Sequence, residues 1–329
     1  KTALVDFVFD KEDVQKDFFT ISVDILHTTC FKEFIYVLGT AVYEKVASKS
    51  DKMRRLFMMT LRSLSASFGY DPIQNTPTFD VKLGDINMPE YTIKEIFEFI
   101  EHADKRCLVV IDEFQQITKY PEKNIEAILR SYIQKLSNAN FVFAGSQRTI
   151  LEEMFLSSRR PFFQSAKLIQ LEAIALPIYQ AFVIKHFQEG EKKIMPEAIE
   201  KVYTTFRGVT LYMQRIMKDA YAMTPVGVTC DMALVDSLID SFVTENDYRI
   251  RELLAYISEP QKEVLYAIHE EGQAKSIVSA AFTKKHRLKS PSATQSAAQK
   301  LLEDDILTRN EKVYSIADPL LILWLDKKV

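Results

Sequence analysis

The stretch CLVVIDEFQQI, Cys107 to Ile117, limits the fold more than any other part of the chain. Its apolar run reads as a buried strand, and it passes directly into Asp112 and Glu113. An ionised carboxylate near a core strand is unfavourable unless something pairs with it, and two adjacent ones also repel. The pair therefore belongs at a strand end, where exposure, a polarised water or a cation can compensate it. In an open parallel sheet this is also where ligands bind, beyond the carboxyl ends of the strands.

The surrounding pattern agrees with such a sheet. KTALVDFVF reads as a helix, apolar nearly all round and so packed between the sheet and its neighbours, and FFTISVD, Phe18 to Asp24, as a strand. Helical periodicity follows over Thr29 to Val46 and Lys52 to Phe68, then an irregular stretch from Gly69 to Pro89, then the helix TIKEIFEFIEHADKR. After CLVVI come a helix near Asn124 to Leu136, the strand FVFAG, a helix near Thr149 to Phe155 and the strand AKLIQL. This alternation implies an α/β fold with a parallel sheet covered by helices. From Pro177 to about Ile257 the pattern is wholly helical, which puts a boundary near Ala175, and from Glu259 it reads as three short helices and a hairpin. The expected domains are 1–175, 176–257 and 258–329.

A length of 329 residues suits two or three domains. A net charge of −3 excludes a global basic field, so any nucleic-acid partner has to meet a local patch. Three widely spaced cysteines, Cys30, Cys107 and Cys230, fit reduced core thiols in the cytoplasm better than a disulfide frame or a zinc site. No apolar run is long enough to span a membrane.

The placement of Asp112 and Glu113 is that of a Walker B pair: the Asp serves Mg²⁺ on nucleotide phosphates and the Glu polarises the attacking water. A strand that merely ends in two solvated acids is the alternative. Lys1-Thr2, opening an apolar helix, is what would remain if G-x-x-x-x-G-K-S/T were cut before its last two residues. In that motif the Lys reaches the β and γ oxygens and the hydroxyl serves Mg²⁺. The expectation is an apolar strand and the Gly-rich half immediately before Lys1, because without a central strand the remaining sheet would expose a long apolar edge.

Together, Lys1-Thr2 with its helix, FFTISVD, CLVVIDEFQQI, FVFAGSQ and the C-terminal helices with a hairpin resemble the archaeal-type ATPases of the STAND/AAA+-like P-loop group. The resemblance covers nearly the whole chain. It implies a P-loop core, a helical lid and a winged helix. It also implies that Lys1, Thr2 and Asp112 bind ATP, with Thr2 and Asp112 serving Mg²⁺, that Glu113 is the catalytic carboxylate, and that Ser146 senses the γ-phosphate. Arg159 or Arg160, in SSRRPFF, would stabilise the transition state in cis or from a neighbouring subunit of a homo-oligomer. The family's Gly-x-Pro lid turn is replaced here by RGVT, Arg207 to Thr210, which leaves a lid contact to nucleotide open. Asp24 is a secondary polar candidate, and His27 reads as structural.

In the last segment Ser290-Pro291 opens a helix whose Ala293, Ala297 and Leu301 fall on one face. Ser292, Gln295, Ser296 and Gln299 form the opposite stripe, suited to base edges in a major groove. Lys284, Lys285, His286, Arg287 and Lys289 precede it, and Arg309 and Lys312 flank the tip of the hairpin. Duplex DNA is one expected partner. A winged helix used for protein contact is the other, because Glu303, Asp304 and Asp305 would repel phosphates. Two functions therefore compete: an ATP-hydrolysing switch with the winged helix as effector, and a non-hydrolysing regulator on a degenerate P-loop scaffold.

Overall fold

The computed structural model describes residues 1–71, 76–79 and 81–328. The chain divides into two compact units, Lys1–Ile169 and Gln170–Val329.

The first unit opens with α1 (Thr2–Phe9), α2 (Glu12–Asp17), β1 (Phe18–Asp24), α3 (Phe31–Lys45) and α4 (Asp51–Thr60). A hairpin of β2 (Phe68–Asp71) and β3 (Thr76–Phe79) leads to α5 (Pro89–Glu101), β4 (Arg106–Asp112), α6 (Ile125–Ile133), β5 (Ala139–Phe143) and α7 (Arg148–Leu156). β1, β4 and β5 form a parallel sheet in the order β1-β4-β5, with Asp24 opposite Asp112 and Ile111 opposite Phe143. β4 is central, and Cys107, Val109 and Ile111 are fully buried. Burying such a side chain stabilises the fold by about 1.5–3 kcal/mol, which is why this apolar run occupies the middle. On α3 the buried Phe31, Phe34, Ile35, Leu38 and Val42 form one helical stripe. A Cβ at Gly39 would stand 3.3 Å from Ile96 of α5, so the glycine permits the close approach of the two helices.

Three expectations fail in this unit. α1 forms, but none of its residues is buried, and Leu4 and Phe7 are 51% and 65% exposed. AKLIQL forms no strand, and Leu168, Ile169 and Leu171 are exposed. A short apolar run does not by itself make a strand, because each N–H and C=O needs a neighbour, and among the described residues AKLIQL pairs with no strand. Part of the stretch from Gly69 to Pro89 is the β2–β3 hairpin rather than irregular chain, while its residues 72–75 and 80 lie outside the described residues.

The second unit contains α8 (Leu176–Glu189), β6 (Lys193–Ile194), α9 (Pro196–Thr205), α10 (Thr210–Met223), β7 (Thr229–Cys230), α11 (Met232–Glu245) and α12 (Asp247–Tyr256). It continues through α13 (Glu259–Glu271), β8 (Ala274–Lys275), α14 (Ala280–Lys285), α15 (Pro291–Glu303), β9 (Leu307–Asn310), β10 (Val313–Ile316) and α16 (Pro319–Lys328). β8, β10 and β9 form a small sheet in that order, the β9–β10 hairpin being a wing beside α15. α16 was not expected. Its Leu320, Leu321, Trp324 and Leu325 are buried in the core that also holds Tyr212 and Val235. Three cysteines are free, and Cys107 and Cys230 are buried as expected. Burial pushes the Cys107 thiol up to about 12, which keeps it protonated and unreactive.

Candidate functional site

The site is built on the turn that ends β4. Phe114 is fully buried against Phe143 and Phe162, with ring centroids 4.4 and 5.4 Å away. Anchoring Phe114 inward forces the chain to turn one residue earlier. Glu113 accordingly adopts a left-handed conformation, φ 55° and ψ 38°, at roughly 1–2 kcal/mol for a residue with a Cβ. Its N–H donates to Asp112 Oδ1 at 3.0 Å, tying the two acidic residues into one turn.

Around this turn the chain gathers residues distant in sequence. The Thr2 hydroxyl donates to Asp112 Oδ2 at 2.6 Å, and the Lys1 ammonium donates to the carbonyl of Gly145, just beyond β5. The Ser146 hydroxyl donates to Glu113 Oε2 at 2.8 Å. Lys1, Thr2, Asp112, Glu113 and Ser146 are thus linked through hydrogen bonds at the carboxyl ends of β4 and β5. Asp24 ends the neighbouring strand beside Asp112 and caps its own turn by accepting from Leu26 N–H at 2.9 Å.

The charge problem posed by the strand end is only partly relieved within the chain. Asp112 and Glu113 are half-buried and receive neutral donors, and among the described residues no Lys, Arg or His forms an ion pair with either. Such a cluster favours a cation. No group of three His, Cys, Asp or Glu side chains converges as a metal cage among the described residues. Mg²⁺ does not need one, because it commonly binds through one or two protein oxygens, waters and substrate phosphates. The Thr2 hydroxyl and the Asp112 carboxylate are hard oxygen donors of the right kind.

The two arginines separate. Arg160 pairs with Glu126 at 2.6 Å, with side chains 27% and 13% exposed, and more loosely with Glu153 at 3.8 Å. Burial pushes the Glu126 carboxyl up, and Arg160 opposes that shift. Arg160 therefore ties α6 to the segment after α7. The Arg159 guanidinium has no hydrogen bond or ion pair among the described residues, only its backbone N–H meeting Ser157 Oγ. Among the described residues no hydrogen bond or ion pair links either arginine to Asp112 or Glu113.

In the second unit Ser290 caps α15, accepting from Ala293 N–H at 3.2 Å. Ser292, Gln295, Ser296 and Gln299 are exposed, whereas Ala297 and Leu301 are buried and Ala293 is half-buried. The basic run is less free than its sequence suggests. Lys285 pairs with Glu271 at 2.5 Å, and the His286 ring lies between Glu270 and Glu271 at 3.1 and 2.8 Å. Lys284, Arg287 and Lys289 are exposed without a carboxylate partner among the described residues. On the wing Arg309 lies over the Tyr314 ring, 5.8 Å from its centroid.

Sequence reasoning missed Gln115. It is 3% exposed, and its amide donates to Glu113 Oε2 at 2.5 Å. Its only signal was a glutamine where a core-facing residue belongs.

Residues 248–327 match a family described as a probable winged helix domain. No curated protein matches the chain significantly in sequence. Among solved structures, the Walker-type ATPase of Pyrococcus abyssi is similar over 93% of this chain and 84% of its own, at 14% identity and TM-score 0.62. The ORC2 protein of Aeropyrum pernix, solved in ADPNP–ADP complexes, is similar over 99% and 83%, at 12% identity and TM-score 0.55. The sheet of the first unit, the helices that follow and the wing beside α15 thus share the fold of these two solved proteins, with a winged helix at residues 248–327.

Proposed function

We propose that the protein binds ATP with Mg²⁺ and hydrolyses it, acting as a switch whose effector is the winged helix. One observation carries this reading: Lys1 and Thr2 meet Asp112, Glu113 and Ser146 at the carboxyl ends of the sheet. Separately, Lys-Thr and Asp-Glu are common dipeptides, but their convergence is what phosphoryl transfer requires.

In this reading the Lys1 ammonium leaves the Gly145 carbonyl for the β and γ oxygens of the nucleotide. Thr2 and Asp112 hold Mg²⁺, which when bound neutralises charge developing on the phosphates. Glu113 orients the attacking water and accepts its proton, and Ser146 carries the contact between the γ-phosphate and that carboxylate. Arg159 is the arginine free to reach a phosphate, in cis or across a homo-oligomer. The functional parts are a core over 1–175, a lid over 176–257 and a winged helix over 258–329, at work in the cytoplasm. Among the described residues no helix is long and apolar enough to cross a membrane.

For the effector, the exposed Ser and Gln stripe of α15 favours duplex DNA over a protein partner, with Lys284, Arg287 and Lys289 on the phosphates and Arg309 on the wing. Equilibrium binding of a fluorescent ATP analogue to the full-length protein tests the nucleotide site. Lys1→Ala should weaken binding about tenfold or more through loss of a charge-assisted contact. Unchanged affinity would remove Lys1 from the site and favour a non-hydrolysing regulator.

A further inference from the structure

Glu113 is held by one of its two oxygens. Oε2 accepts from the Gln115 amide at 2.5 Å, from the Ser146 hydroxyl at 2.8 Å and, at 3.4 Å, from the Ser146 N–H. Among the described residues Oε1 accepts from no donor. The amide orientation of Gln115 follows from this contact, since a reversed amide would set its oxygen against an acceptor-only carboxylate. Its own Oε1 is buried without a partner. A buried, half-satisfied amide is unfavourable, so a core position occupied by a better-satisfied or apolar side chain would make the fold more stable.

The neighbourhood is shaped to keep that amide. A Cβ on Gly145 would lie 2.0 Å from Gln115 Oε1 and 2.8 Å from Leu151 Cδ1, so any larger residue would push the amide away from Glu113. The backbone of Gln115 is fixed as well: its carbonyl accepts from the Thr118 hydroxyl at 2.8 Å, between the buried Phe114 and Ile117. The side chain therefore reaches Glu113 from a rigid base.

We propose that Gln115 is a positioning residue that pins Oε2 of Glu113 and leaves Oε1 as the one oxygen presented to the attacking water. The inference rests on the ATPase reading and adds to it the residue that sets the orientation of the carboxylate. Three donors on one oxygen remove the rotation that would otherwise exchange the two oxygens. Geometry held in advance in this way lowers the barrier of the chemical step without altering ground-state nucleotide binding.

The test uses the full-length protein and measures phosphate release, ATP affinity and thermal unfolding. Gln115→Met keeps the volume and removes the donor. It should lower kcat about tenfold or more and change ATP affinity by less than about twofold. Placed on Glu113→Gln, the same substitution should lower turnover no further, because the carboxylate it positions is gone. A merely structural residue would lower both backgrounds equally, and that result overturns the proposal. If Gln115→Met does not fold, Gln115→Asn, which falls one carbon short of Glu113, should show the same loss confined to kcat. Unchanged kcat in the folded variant overturns the inference alone, provided wild-type hydrolysis depends on Glu113. Wild-type protein without Glu113-dependent hydrolysis overturns the ATPase reading and the inference together.

Discussion

Adjacent residues with the same chemistry carry different work here. Arg159 and Arg160 are indistinguishable in sequence, but Arg160 is spent on Glu126, whose carboxylate is largely removed from water. Arg160→Ala should leave that acid unpaired and destabilise the protein by about 1–3 kcal/mol, read as a lower unfolding temperature. Arg159→Ala should change stability by no more than about 0.5 kcal/mol, yet lower phosphate release if its guanidinium reaches the transition state. The opposite assignment of the two effects would exchange their roles. Asp112 and Glu113 show the same division: one carboxylate is occupied by the Thr2 hydroxyl, the other by Ser146 and Gln115. Lys1, Thr2, Asp112 and Glu113 stood out in the sequence through short patterns and Ser146 through the family resemblance, and the structure brings all five together by hydrogen bonds. Gln115 did not stand out, because its role depends on a glycine thirty residues away in sequence and on a turn whose direction is set by the burial of Phe114.

Elements were legible where periodicity and burial coincide, as in α3 and β4, and illegible where a partner decides the outcome. AKLIQL reads as a strand but pairs with none among the described residues, and β2 and β3 pair although their composition suggests a loop. In the winged helix the same limit applies to charge. Lys285 and His286 look available until α13 brings Glu270 and Glu271 beside them. Replacing Lys284, Arg287 and Lys289 by Ala should therefore weaken duplex DNA binding and flatten its salt dependence by roughly 0.9 log units for each phosphate no longer neutralised. Lys285→Ala should do less, and fluorescence anisotropy at several salt concentrations separates the cases. Equal slopes for all variants would leave this face to a protein partner. The packing of α13 beside α14 also predicts a pH effect. Hydrogen bonds from Lys285, then His286, hold the Glu271 carboxyl below its ordinary range. A folded value below the unfolded one adds stability that is present above the unfolded carboxylate value, about 4.3, and is lost as pH falls through the folded value. Glu271→Gln should flatten the acid limb of the unfolding curve. The chain's one tryptophan, Trp324, is buried in this unit, so its fluorescence reports the change.

The helical segment and the winged helix of the second unit share one hydrophobic core, running from Tyr179 to Leu325. Polar ties cross the same junction: Tyr212 donates to Asp318 at 2.9 Å, Arg249 approaches Asp318 at 3.5 Å, and Trp324 Nε1 donates to Asp247 at 2.8 Å. A nucleotide-dependent displacement of the proposed lid would therefore carry the winged helix with it, since packed interiors move as units rather than deforming. In the proposed reading this switch consumes its nucleotide, and that consumption would rest on Glu113. The most direct test is steady-state phosphate release by the full-length protein and its Glu113→Gln variant, alongside equilibrium ATP binding. The substitution keeps shape and removes the carboxylate proposed to accept the water's proton. Binding should persist while hydrolysis falls by at least about 10²-fold. Hydrolysis at the wild-type rate in Glu113→Gln would show a strand that simply ends in a solvated acid and would contradict the account.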